Sequence, residues 1–295
     1  MMRAFIVAVT FAGVLALNGS AATAKPKLKG LKTQAISISA RPITSFGTAR
    51  KPGRAAGKLM WLGGLRLSSP SSYFGGFSGL TISPDGTRIF AASDAGFWMT
   101  ANLTVRDGVP VDLTDGRIGP FRALSGRVLA KNKEVDAEAV SLAKGTLDNG
   151  ELLVAFERIH RIGRFPVRNG EIAKPSRYLK LPSYIKGLHR NRGLEGMELL
   201  KGRNAGAIVV FAEGRRNFDG NLRGWLMGKG KTREIFLKPI NGFDITGIAA
   251  LPDGGFLALE RRFRWSEGVK MRIRRIHADE LAAGRVLQGE VLLDV

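Results

Sequence analysis

Four acids close four similar stretches of this chain: Asp94, Glu157, Glu213 and Glu260. Each follows a short apolar run, and each run is preceded, across a glycine-containing turn, by another apolar run. The second set of runs opens on Ser78, Glu138, Glu195 and Thr246. Carboxylates at recurring positions suit a hard divalent cation such as calcium, which takes several oxygen ligands. Asp94, Glu138, Glu157, Glu195 and Glu260 are the candidate metal ligands, with Glu213 able to join them. A cation held there would polarise an ester and activate water. Crowded like charges also raise the pKa of one carboxyl, which makes Glu138, Glu195 and Glu213 candidate catalytic acids or bases. Arg158, Arg192 and Arg215 sit next to or near these acids and can clamp an anionic group bidentately. The same arginines can equally do no more than neutralise the acids.

Other chemistries find little support. The stretch Gly76-Phe-Ser78-Gly-Leu80 lacks the spacing of a serine-hydrolase elbow. His160, His189 and His277 show no metal-ligand spacing and read as ordinary surface or loop histidines. No glycine-rich loop carries the Lys-Ser/Thr of a phosphate-binding loop. No cysteine is present, so neither disulfides nor thiol chemistry contribute.

The elements that must position the acids are short strands. Apolar runs of four to eight residues are broken by Ser-Pro-Asp-Gly at 83–86, Asp-Asn-Gly at 148–150 and Leu-Pro-Asp-Gly at 251–254. Such turns between strand-like runs are strong hairpin signals. No stretch keeps a long amphipathic helical period. The four hairpins align with one another, and their leading residues lie 60, 57 and 51 residues apart. A repeat of that length built from several short strands predicts an all-β chain folded as a β-propeller of about five or six blades. In that fold each leading residue and trailing acid meet at one end of a blade, and the set forms a ring at the channel mouth.

Charge and the chain's opening limit the setting. Lys and Arg number 46 against 25 Asp and Glu, a net charge of +21. From Lys25 to Pro84 there are ten basic residues and no acid. Such a surface attracts anions. Residues 1–24 pair Arg3 with an apolar run from Ala4 to Leu17 and end in Ala-Thr-Ala, the pattern of a secretory signal peptide. That run is short of the about 20 residues needed to span a bilayer. The expected organisation is a leader at 1–24, a basic N-terminal segment at 25–57 and a single propeller at 58–295. The expected location is periplasmic or secreted, with no membrane span after the leader is removed and a monomeric state. Expected partners are a small anionic ester or an anionic envelope surface, and not nucleic acid.

Four motifs carry a resemblance: "FSGLTISPDGTRIFAASDAGFW", "EVDAEAVSL" with the later "GELLVAFER", "GLEGMELL", and "ITGIAALPDGGFLALERRF". Together they resemble the phytase-like family described as having esterase-like activity. The resemblance implies an exported propeller, hydrolysis of a phosphoester or carboxylester, and matching acids at Asp94, Glu138, Glu157, Glu195, Glu213 and Glu260. Family members usually carry one more Glu-Gly strand unit than is seen before "GRVLQGEVLLDV", so the last blade is expected to be atypical or incomplete. Two functions remain open at this point. One is an exported, metal-assisted ester hydrolase. The other is a non-catalytic propeller that binds an anionic ligand, a protein or an envelope surface.

Overall fold

The structure is a computed structural model that describes residues 30–47, 49, 51–189, 193–228, 230–281 and 285–295. The leader expectation and Arg192 lie outside these residues. Five short strands come first: β1 (Gln34–Ile36), β2 (Ser39–Ile43), β3 (Arg54–Ala56), β4 (Leu59–Trp61) and β5 (Gly64–Ser68). Blade 1 follows, built from β6 (Phe77–Ile82), β7 (Arg88–Ser93), β8 (Phe97–Arg106) and β9 (Val109–Pro120), with β1 added outside β9. Blade 2 contains β10 (Ala137–Gly145), β11 (Gly150–Phe156), β12 (Arg161–Arg168), β13 (Glu171–Ile172) and β14 (Arg177–Tyr178). Blade 3 contains β15 (Leu194–Leu199), β16 (Ile208–Arg216), β17 (Leu222–Met227) and β18 (Arg233–Leu237). Blade 4 contains β19 (Asp244–Ala250), β20 (Phe256–Arg264) and β21 (Gly268–Ile276). After it, β22 (Val286–Leu287) returns to pair with β18, and β23 (Glu290–Asp294) completes blade 4 beside β21.

The chain is therefore an all-β propeller with almost no helix, and four blades occur among the described residues. The expected count of five or six is not found there. The repeat spacing suggested the larger number because it measures blade length and not how the N-terminal strands are used. Those strands build no further four-stranded blade. β2 pairs with β5 and lies against β9, while β3 pairs with β4. The β3–β4 turn reaches blade 4, where Lys58 N–H donates to Leu292 O at 2.7 Å.

Packing between sheets explains why the blades hold together. Each sheet is apolar on both faces, and separate cores lie between successive blades. Phe90, Trp98, Phe121 and Phe156 join blades 1 and 2. Leu153, Ala155, Met197, Val210 and Trp225 join blades 2 and 3. Val209, Phe211, Ile245, Phe256 and Ala258 join blades 3 and 4. Ala49, Ala56, Trp61 and Leu59 cover the remaining face of blade 4 over Leu257, Ile273 and Leu293. The inner strands β6, β10, β15 and β19 neighbour one another in that order. The approach is close at Gly79, where an added Cβ would stand 3.0 Å from the Ala139 backbone.

Candidate functional site

Every inner strand carries a β-bulge at the same place. Pairing with the second strand slips between Phe77 and Gly79, Ala137 and Ala139, Leu194 and Gly196, and Ile245 and Gly247. The skipped residues are Ser78, Glu138, Glu195 and Thr246. These are the four leading residues of the sequence repeat. A bulge releases one residue from the ladder and re-aims its side chain, a device common beside active sites. The residue before each bulge pairs with Ser93, Phe156 or Ala212 in the first three blades. Asp94, Glu157 and Glu213 come one position later, at the same end of the blade.

Blades 2 and 3 bring their acids together. One carboxylate oxygen from each of Asp136, Glu138 and Glu157 lies within 4.8 Å of the others, and the same holds for Glu157, Glu195 and Glu213. Glu157 belongs to both groups. Its Oε1 accepts a 2.8 Å hydrogen bond from Gly193 N–H, whose own carbonyl accepts from Glu213 N–H at 3.0 Å. Gly193 must be glycine here, because a Cβ would fall 2.5 Å from Glu157 Cγ and 2.6 Å from His160 Cε1. Glu157 N–H donates to Asp136 O at 2.7 Å, tying the second strand to the approach to β10. Arg158 closes an ion pair with Asp136.

Burial and crowding keep protons on this cluster. Burial, followed by the charges of Glu138 and Glu213, pushes the Glu195 carboxyl up to about 9. Burial and the neighbouring Asp136 push Glu138 up to about 8, against a hydrogen bond from the Ser78 hydroxyl. Burial also raises Glu157, although the Gly193 amide opposes it. A carboxyl raised in the fold binds more protons there than in the unfolded chain, so stability falls as pH climbs from the unfolded value toward the folded one. Chelator-treated protein should thus lose of order 1–3 kcal/mol between about pH 5 and pH 9. Urea unfolding at both pH values measures this, and Glu195→Gln should flatten the slope.

The donor set fits a hard divalent cation. It consists of carboxylate oxygens alone, and opposed ligands on calcium stand about 4.6–5.2 Å apart, twice the usual bond length. Asp136, Glu138, Glu157, Glu195 and Glu213 would hold such an ion.

The remaining sequence candidates fall elsewhere. Asp94 holds the matching place in blade 1, is exposed, and lies outside both groups. Glu260 is a correction. It pairs with Ile245, the residue before the bulge, so it corresponds to Phe156 and not to Glu157. One residue of phase turns a strand side chain to the other face. Glu260 is accordingly fully buried against Arg274, and the exposed Arg261 takes the rim position. Of the three candidate arginines, Arg158 is spent on Asp136, which leaves Arg215, exposed on β16, as the described one open to an anion. Sequence reasoning missed Asp136, although it stands two residues before Glu138. It also read His160 as a surface or loop residue, and only the loop part holds, since His160 lies in the turn before β12. His160 is buried behind Glu157, with Nε2 sharing a 3.0 Å hydrogen bond with Leu188 O.

The family model described as "Phytase-like: Esterase-like activity of phytase" matches residues 72–294, which takes in all four blades. The chain belongs to this family. No curated protein matches this phytase-like chain. Among solved structures, KlHsv2 with loop 6CD replaced by a Gly-Ser linker aligns at 12% identity and a TM-score of 0.34. That alignment covers 80% of the phytase-like chain and 62% of the other, so the chain spans less than two thirds of that structure's length. The β-propeller domain of Myceliophteria thermophila Cps50 (Swd1) aligns at 11% identity and a TM-score of 0.34, over 75% of this chain and 72% of that one.

Proposed function

We propose that this phytase-like protein is an exported hydrolase of phosphate or carboxylic esters, working with calcium or another divalent cation at the acidic rim of the propeller. One observation carries the reading: two carboxylate groups from adjacent blades share Glu157, and bulges aim two of their members, Glu138 and Glu195, into the cluster. When bound, the cation would supply Lewis acidity and lower the pKa of a water. The protein's own residues do the rest. Glu157 is fixed by the Gly193 amide and stays oriented as a ligand. Glu138 and Glu195 can each carry a proton near neutral pH, which suits donation to a leaving oxygen. Arg215 is the candidate to meet the anionic group of the substrate, while Arg158 offsets the charge of Asp136. The leader-like residues 1–24 support a periplasmic or secreted location.

The test is turnover. Chelator-stripped protein is assayed on a generic phosphomonoester and a short-chain carboxylester, with calcium, magnesium or manganese added back. Metal-restored turnover that falls by at least about a hundredfold in Glu195→Gln supports the reading and identifies the bond type. A folded protein inert with every metal sinks it and leaves a binding propeller.

A further inference from the structure

Two hairpins on adjacent blades run on past the acidic rim. In blade 4, β19 begins at Asp244 opposite Arg261, so Arg262–Arg264 pair only with residues 268–270 of β21. In blade 3, β16 continues beyond Glu213 to Arg216, which pairs with Leu222 at the base of a loop over residues 217–221. Both projections carry bare aromatic side chains. Trp265 is 95% exposed and Phe263 49%, their rings meeting edge to face at 5.2 Å. Phe218, in the blade 3 loop, is fully exposed.

The tips are well braced beneath these rings. Asn221 N–H donates to Asn217 Oδ1 at 2.8 Å, closing the blade 3 loop. Arg216 reaches across to Asp244 of blade 4 at 2.8 Å. Arg262 donates to Asn241 O at 2.9 Å and lies over the Phe243 ring at 4.9 Å. Aromatics held out on ordered turns, with nothing covering them, call for a partner.

Charge says which one. Arg215, Arg261 and Lys270 stand at the bases of the tips with no carboxylate partner among the described residues, and the chain as a whole is at +21. Separate protruding aromatics with cations behind them suit a soft, anionic plane, where Trp settles at headgroup depth and Lys and Arg meet the phosphates. We propose that the β16–β17 and β20–β21 hairpins form a wedge that docks the acidic rim on an anionic lipid surface. The inference does not depend on hydrolysis, and its test needs no turnover.

The protein is mixed with phosphatidylcholine vesicles, with or without phosphatidylglycerol, and sedimented. Tryptophan emission is followed on the same samples, with W265S subtracted to isolate Trp265, since Trp98 and Trp225 are buried and Trp61 is half-buried in a stack on Phe46. Sedimentation with the anionic vesicles alone, with a blue shift of emission, is the expected result. Vesicle affinity should fall about tenfold in F218S/W265S and about fivefold for each of R261A and K270A. These side chains are exposed or lie at the hairpin bases, so melting temperature should hold. Undiminished binding by F218S/W265S would reduce the effect to general electrostatic adsorption and overturn the wedge. So would absence of vesicle binding, or a dimer dissolved by W265S that shows the tips meeting a second copy instead.

Discussion

Chelator-stripped protein carrying Glu157→Gln should gain no thermal stability from calcium, while the parent protein should gain about 5–10 °C. The size follows from linkage. A ligand that binds only the folded state, at a hundred times its dissociation constant, stabilises by about 2.7 kcal/mol, and a chain of this length shifts by about 2–4 °C per kcal/mol. Glu157 is the decisive position because it alone belongs to both carboxylate groups. Glutamine keeps an oxygen for the Gly193 amide, so the 2.8 Å hydrogen bond and the local fold should survive. Asp94→Asn serves as the control: it removes the matching, exposed acid of blade 1, which lies outside both groups, and calcium should still stabilise it. Calcium protection of Glu157→Gln equal to the parent's would show that the ion, if one binds, sits elsewhere. Differential scanning fluorimetry with and without calcium decides the matter.

The second large effect concerns Arg274. Its guanidinium is completely buried against Glu260, with Nε donating to Oε2 at 2.8 Å and Nη2 to Oε1. Nη1 also donates to Lys238 O at 2.9 Å and to Gln288 O at 2.8 Å, so one side chain ties β21 to the strand ends of blades 3 and 4. Burial, with a smaller push from the Asp244 charge, raises the Glu260 carboxyl, and Arg274 chiefly opposes this, helped by Arg272. Arg274→Met should therefore cost about 3–5 kcal/mol, because it strands a buried carboxylate and two carbonyls. Replacing both partners, as Glu260→Leu with Arg274→Met, should recover most of the loss, since the desolvation of two charges disappears with the pair. Urea midpoints of the single and double variants measure this, and a single-variant loss below about 1 kcal/mol would contradict a structural role.

Much of this arrangement was legible in the sequence. The Asp-Gly and Asn-Gly turns marked the hairpins because such dipeptides favour the backbone twist a tight turn needs. Aligning those hairpins located Ser78, Glu138, Glu195 and Thr246, and they proved to be the bulge residues. What failed were matters of phase and partnership. Glu260 and Glu157 look equivalent in a string of letters, yet a single residue of register separates a rim acid from a core acid. Asp136 stands before β10 begins, so a search confined to strands passed over it. Arg158 stayed open between clamping an anion and neutralising an acid, because its partner, Asp136, had not been noticed. His160 gave no local sign of burial, since the loop that covers it through Leu188 lies 28 residues away. The count of five or six blades is not confirmed for a related reason: the repeat does not tell how the N-terminal strands are used, and among the described residues they pack on blades 1 and 4.

The repeated bulge separates what the fold requires from what the site requires. Each blade presents one socket at the rim, made by a slip in pairing and independent of the residue that fills it. Serine, two glutamates and threonine occupy the four sockets here. The scaffold thus works as a dial with interchangeable settings, in which chemistry can be rewritten one socket at a time while the apolar layers between blades go on holding the ring.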